Sequence, residues 1–312
     1  MNLKKCLFFG CILYIILSIV FPELIISSWM ALILGIIFAI ILGNPYDGKT
    51  SNITSNLLKI SVVGIGFGYP VSSVAELSFY EFSYVLVFII LTFFTGYVLG
   101  KFTNVERKTA DLINSGTAIC GASAIAAISS TIRANEKQIS ISLGTVFILS
   151  VSGLIIYPLI GDYLSLSERQ FGLWAGLTVH DTASAIGAAQ DFGANSLKIA
   201  TIIKLAKVLF IIPIVFIGSV LYKNNNNKFT FPYFIVFFLF AMILNSILPN
   251  YTGFEFIKEV GKKGLQVSLF LIGANLSIKN LKSIGIKPLI HGLVLWCFLS
   301  TISLITIMYF SY

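Results

Sequence analysis

Residues 116–128 read GTAICGASAIAAI, a run of Gly, Ala, Ser and Thr in a chain otherwise dominated by Leu, Ile, Phe and Val. What such a thin stretch means depends on the solvent, and composition decides the solvent. Of 312 residues, 57% are apolar and 11% charged, with a mean hydropathy of +0.93; a soluble domain carries about 25% charged residues. Apolar stretches recur along the chain, each long enough at ~1.5 Å per residue to cross a ~30 Å hydrocarbon layer. The reading is an all-α polytopic membrane protein. Eleven spans are predicted, over 6–21, 28–43, 58–75, 82–100, 111–132, 139–160, 171–190, 198–222, 231–249, 263–278 and 288–311. Residues 1–312 then form one transmembrane domain, with no room for a soluble one. Lys4 and Lys5 before the first apolar run resemble a signal peptide, but no small-residue cleavage site follows, so the run is read as a retained span.

In a bilayer, small residues let helix backbones approach closely, since lipid gives helices no hydrophobic reason to associate. Gly64 and Gly68, Gly96 and Gly100, and Gly172 and Gly176 repeat the GxxxG spacing, so close packing is widespread. The 116–128 segment adds polarity, with Asn114, Ser115, Thr117 and Ser123 alongside Gly116 and Gly121. Glycine adopts non-helical angles freely, and irregular backbone at membrane depth is tolerated where protein or a watery cavity surrounds it. The segment is therefore a candidate broken helix, of the kind transporters aim at anionic substrates.

Lys and Arg fix orientation. With the N-terminus in the cytoplasm, Lys4, Lys5, Lys49, Lys101, Arg107, Lys108, Arg169, Lys223, Lys228, Lys279, Lys282 and Lys287 fall inside. Arg133, Lys137, Lys198, Lys258, Lys262 and Lys263 fall outside, as does the C-terminus. The net charge of +8 follows from this topology and calls for no nucleic acid. The run KNNNNK at 223–228 reads as a polar turn. Cys6, Cys11, Cys120 and Cys297 lie within predicted spans without CxxC spacing, so neither disulfides nor metal are expected.

Ionisable residues inside spans cost about 2.5–3.5 kcal/mol each if they face lipid. Four cluster in two neighbouring spans: His180 and Asp181 in FGLWAGLTVHDTASAIGAAQ, and Lys204 and Lys207 beyond the short turn DFGANS. As two antiparallel helices joined by that turn, the spans bring Asp181 and Lys207 to about the same depth, roughly 15 Å from the turn. Asp181 would then neutralise Lys207 and leave Lys204 as uncompensated positive charge, with His180 available to carry a proton. A structural ion pair alone has no use for the second lysine.

Together GTAICGASAIAA, VHDTASAIGAA, IIKLAKVLFIIPIV, LGIIFAIILGNP and IGANLSIKNLKSIGIKPL resemble the YeiH family of bacterial inner-membrane proteins, over nearly the whole chain. That family is described as sulfate exporters and grouped with NhaA-like and bile-acid-symporter-like folds. The resemblance implies inverted repeats, two discontinuous helices crossing at the midplane, and a bacterial inner-membrane location. Where family members carry Arg three residues after the Lys, this chain has Lys207, which lacks the bidentate fork of Arg.

SVVGIGFGYPVSSV (61–74) and SLFLIGANLSIKNL (268–281) align with Gly66 opposite Gly273 and run in opposite directions in this topology. The fifth and tenth spans are taken as the crossing pair, with Gly273 and Asn275 supplying the second break. The match of ASAIAA with ASAIGAA in spans five and seven is read as a coincidence of a small-residue alphabet. The expected function is secondary transport of a small anion by alternating access, bound by Lys204, Lys207, Thr117, Gly121, Ser123, Gly273 and Asn275, with His180 and Asp181 as the coupling pair. A proton or sodium is the expected coupling ion; homo-oligomers are compatible with the sequence, and no cofactor is expected. An anion channel and a cation/proton antiporter are the alternatives. An intramembrane enzyme ranks last, since HExxH, GxSxG and paired catalytic carboxylates are absent.

Overall fold

A computed structural model describes residues 3–18, 26–46, 50–72, 79–222, 233–249, 251–275 and 285–310. The 223–228 turn, Ser277 and the end of the first predicted span lie outside these residues. Every regular element described is a helix. In chain order they are α1 (Leu3–Leu17), α2 (Ser28–Ile41), α3 (Thr50–Gly66), α4 (Phe79–Thr103), α5 (Arg107–Ala118), α6 (Ala122–Thr131), α7 (Glu136–Tyr163), α8 (Glu168–Thr178), α9 (Thr182–Phe192), α10 (Ala194–Leu209), α11 (Ile211–Leu221), α12 (Tyr233–Ile247), α13 (Gly253–Ala274) and α14 (Ile286–Phe310). Among the described residues, four stretches are long and apolar enough to cross a membrane: 82–103 in α4, 136–163 in α7, 194–218 through α10 and α11, and 286–309 in α14. Pro213, which lacks an N–H to continue the ladder, follows the α10–α11 junction.

The chain divides into two compact units. The first holds α1 to α3 with α12 and α13. Here α13 packs against both α2 and α3, and glycines set the spacing. A Cβ on Gly273 would strike the Leu32 carbonyl, and one on Gly35 the Phe270 carbonyl. Against α3, Gly64 faces Gly261 and Gly68 faces Lys258, so α3 and α13 run antiparallel. Phe8, Phe38 and Phe270 fill the core beside them. Gly273 itself is helical: α13 runs through Ala274 with Asn275 as its C-cap, and 276–284 lie outside the described residues. Close packing explains this glycine completely.

The second unit holds α4 to α11 and α14. Its two small-residue segments are both broken, the first as the sequence suggested and the second against the expectation of a continuous span, and neither crosses. Lys108, at the start of α5, donates to the Arg133 carbonyl just beyond α6 at 2.8 Å. A single helix over the same residues would hold those positions roughly 37 Å apart. Likewise the rings of Phe171 in α8 and Phe192 in α9 stack at 3.8 Å, and Glu168 accepts the Asn195 N–H at 2.7 Å. Each segment is a helical hairpin that goes in and returns to the same end. The predicted spans 111–132 and 171–190 are corrected accordingly. The physical reason is length: half-helices of 10 to 12 residues reach only ~15–18 Å, half a hydrocarbon layer.

Between the hairpins runs α7, 28 residues long and opened by a capping box of Asn135 and Gln138. Its first turns lie beside the start of α5, where Gln138 bonds Glu106 and Ser142 donates to the Thr109 carbonyl. At its far end Gly161 lies against Phe171 and Phe192. The hairpins therefore enter from opposite ends of α7, and their tips touch: a Cβ on Gly121 would sit 3.2 Å from the Asp181 Cβ.

Candidate functional site

The first tip is residues 119–121. Gly121 has φ +66°, a left-handed conformation that costs other L-residues ~1–2 kcal/mol, and its N–H reaches back to the Gly116 carbonyl at 2.9 Å. That bond closes α5 and lets α6 start afresh at Ala122. Cys120 is buried. Ala122 and Ser123, at the start of α6, are exposed. Thr117 is fully buried and its hydroxyl donates to the Ile113 carbonyl; it braces α5 and presents no free hydroxyl.

The second tip is residues 179–181. Asp181, partly exposed, caps α9 by accepting the Ser184 N–H at 2.9 Å. Its own N–H turns away to Ser150 of α7 at 3.1 Å. In a continuous helix that N–H would serve the Leu177 carbonyl, which is thus freed, and Lys207 donates to it. Lys204 does the same for the Val179 carbonyl. Both lysines are 0% exposed, and the Phe88 ring lies 4.2 Å from the Lys207 ammonium. The expected pairing of Lys207 with Asp181 is corrected: the carboxylate is occupied as a helix cap, and the ammonium caps the end of α8. Cations at a helix C-terminus and anions at an N-terminus are both favourable there.

Packing explains why the lysines reach. Gly172 and Gly176 of α8 press against Ser196, Ile199, Ala200 and Ile203, where any Cβ would meet atoms at 2.8–3.2 Å. The GxxxG face lets α10 lie parallel to α8, not antiparallel to a full span, and delivers Lys204 and Lys207 to the tip. His180 is fully buried, neither ring nitrogen has a hydrogen-bond partner, and the ring faces Trp296 at 5.8 Å. Buried polar atoms without partners are uncommon and mark functional groups disproportionately.

Of the sequence-predicted residues, the structure brings Gly121, Asp181, His180, Lys204 and Lys207 to the two tips, with Ser123 one turn beyond. Gly273 and Asn275 fall in the other unit, where they serve packing and capping; Asn275 also accepts from Asn44 at 2.7 Å. Ser150 and Phe88 carried no sequence signal. His291 is buried, with Asn114 at 2.9 Å and Thr103 at 3.2 Å. Beside this link a cavity of about 290 Å³ runs between α4 and α5, lined by Lys101, Arg107, Asp111 and Asn114 among others. Among the described residues no group of three His, Cys, Asp or Glu could hold a metal ion.

Long apolar helices around paired, polar-tipped hairpins define a helical membrane protein. This chain belongs to the family described as "Conserved hypothetical protein 698", whose model matches residues 6–309. It is 42% identical over 286 residues to a UPF0324 membrane protein of Bdellovibrio bacteriovorus, covering 89% of this chain and 88% of that one. A UPF0324 membrane protein of Bacteroides thetaiotaomicron is 41% identical over 292 residues (91% and 88%), and one of Photobacterium profundum 40% over 285 (91% and 87%). No solved structure matches.

Proposed function

We propose that this protein is a secondary transporter of a small anion, working by alternating access around the two hairpin tips. The observation that carries the reading is charge at depth: two fully buried lysine side chains against one carboxylate, beside an exposed helix N-terminus at Ala122 and Ser123. An anion there gains from the lysine field and from the dipole of α6. Hairpins that start from opposite ends of α7 act as inverted repeats, and place their broken ends midway between the faces. The ASAI copies at 122–125 and 183–186 each lead into the second half of a hairpin.

Nine crossing helices and two re-entrant hairpins replace the eleven spans in this reading. Arg133 and Lys137 then join Lys101, Arg107 and Lys108 on the cytoplasmic side, and Arg169 leaves it, so the positive-inside bias strengthens. His180, committed to no hydrogen bond, is the proton carrier in this scheme. Sulfate or a related sulfur oxyanion is the substrate that the family resemblance favours. The test is a proteoliposome screen across sulfate, sulfite, sulfonates and carboxylates, with and without a pH gradient. Saturable counterflow of one class is expected and separates a carrier from an anion channel. Absence of counterflow for every anion would sink the reading.

A further inference from the structure

We infer that Lys204 and Lys207 are tethered cations occupying the place of a diffusible coupling ion, so that the site operates without sodium. The inference rests on the transporter reading above and concerns its coupling. Sodium is a hard cation that seeks oxygen ligands, and freed carbonyls at the C-terminal end of a half-helix supply them in transporters. This protein has such an end. The Asp181 N–H has turned to Ser150, and the Leu177 and Val179 carbonyls are left at the tip of the second hairpin. Each already holds an ammonium group of α10.

The surroundings complete a cation site. The face of Phe88 lies 4.2 Å from the Lys207 ammonium, a favourable placement for a positive charge. Asp181, the acid at the tips, spends an oxygen on the Ser184 N–H and lies outside ion-pair distance of either lysine among the described residues. A sodium ion would therefore have to displace a covalently attached cation or sit beside two of them, and like charges at such range in a poorly solvated interior repel strongly. The close approach of α8 and α10 at Gly172 and Gly176 fixes the ammonium groups where they are.

The experiment is thermal unfolding of the full-length protein in detergent, in NaCl, LiCl and choline chloride at equal ionic strength. Wild type should unfold at the same midpoint in all three salts. Lys204→Ala frees the Val179 carbonyl and opens room for an ion. Its midpoint should fall in choline and recover by at least ~2 °C in sodium. A wild type stabilised by sodium or lithium, or a Lys204→Ala protein indifferent to sodium, overturns the inference. If Lys204→Ala does not accumulate, the wild-type titration with radioactive sodium decides alone: saturable binding refutes, none supports. Failure of the transporter reading is visible separately, as missing anion counterflow, and leaves these salt responses unchanged.

Discussion

The hairpin geometry makes a prediction with a large signal. In a background whose four cysteines are replaced, spin labels at Lys108→Cys and Arg133→Cys report the span of the first hairpin by pulsed electron–electron resonance. The ruler is internal. Lys137 and Asp162 are separated by the same number of residues as Lys108 and Arg133, but both lie in the unbroken α7. At ~1.5 Å per residue the α7 pair should be about 37 Å apart. The hairpin pair, whose side chain and backbone meet at 2.8 Å, should give well under half of that. A second pair, Arg169→Cys with Asn195→Cys, should also be short, because Glu168 bonds the Asn195 N–H. Equal long distances for the α7 pair and the Lys108–Arg133 pair would refute the hairpin and restore a crossing helix.

Side-specific labelling gives an independent answer: Lys137→Cys should react with an impermeant maleimide from the cytoplasmic side and Asp162→Cys from outside, whereas a crossing segment at 111–132 exchanges the two. Gly121→Ala should destabilise by about 2–3 kcal/mol, from the left-handed conformation and the tight contact with Asp181. Gly100→Ala, in α4, where an added Cβ would come no closer than 3.6 Å to the Ala110 Cβ of α5, should be neutral or stabilising by up to ~1 kcal/mol; denaturant titrations in detergent compare the two, and equal stabilities would remove the strain argument. Lys204→Gln retains a donor for the Val179 carbonyl and loses the charge, so anion uptake should drop by about tenfold or more with expression retained; unchanged uptake would reduce the lysine to a structural cap. Asp181→Asn keeps the α9 cap and Asp181→Ala removes it, so the alanine variant should be the less stable by about 1 kcal/mol, measured by the same titrations.

Much of this was legible in residues. Hydropathy gave the solvent and most helices, and the Gly-Ala-Ser alphabet of 116–128 gave the break, because few other sequences permit a left-handed residue such as Gly121 at depth. The direction after the break was not legible: a 22-residue segment satisfies the length rule for a span whether it continues or doubles back. That one ambiguity propagated. Treating 171–190 as a span made α10 antiparallel to it and paired Lys207 with Asp181. The actual partners, backbone carbonyls at Leu177 and Val179, carry no identity in a sequence at all. The ASAI repeat stands in both hairpins, but in a small-residue alphabet such a match carries little information by itself. Gly273 marks a close approach to α2 within a helix that runs on to Ala274, a use of glycine that its identity alone does not distinguish from a break.

One turn of α7 has a consequence for how the tips are set against each other. Val146 lies against both Gly116 and Gly121 of the first tip, and Ser150, four residues on, receives the Asp181 N–H of the second. The phase between the hairpins is thus written in a single helical repeat. Inserting one residue between Val146 and Ser150 rotates everything beyond by about 100°, which points Ser150 away from Asp181 while Val146 stays in place. Neither tip can be re-timed alone, because both read their position from the same stretch of backbone.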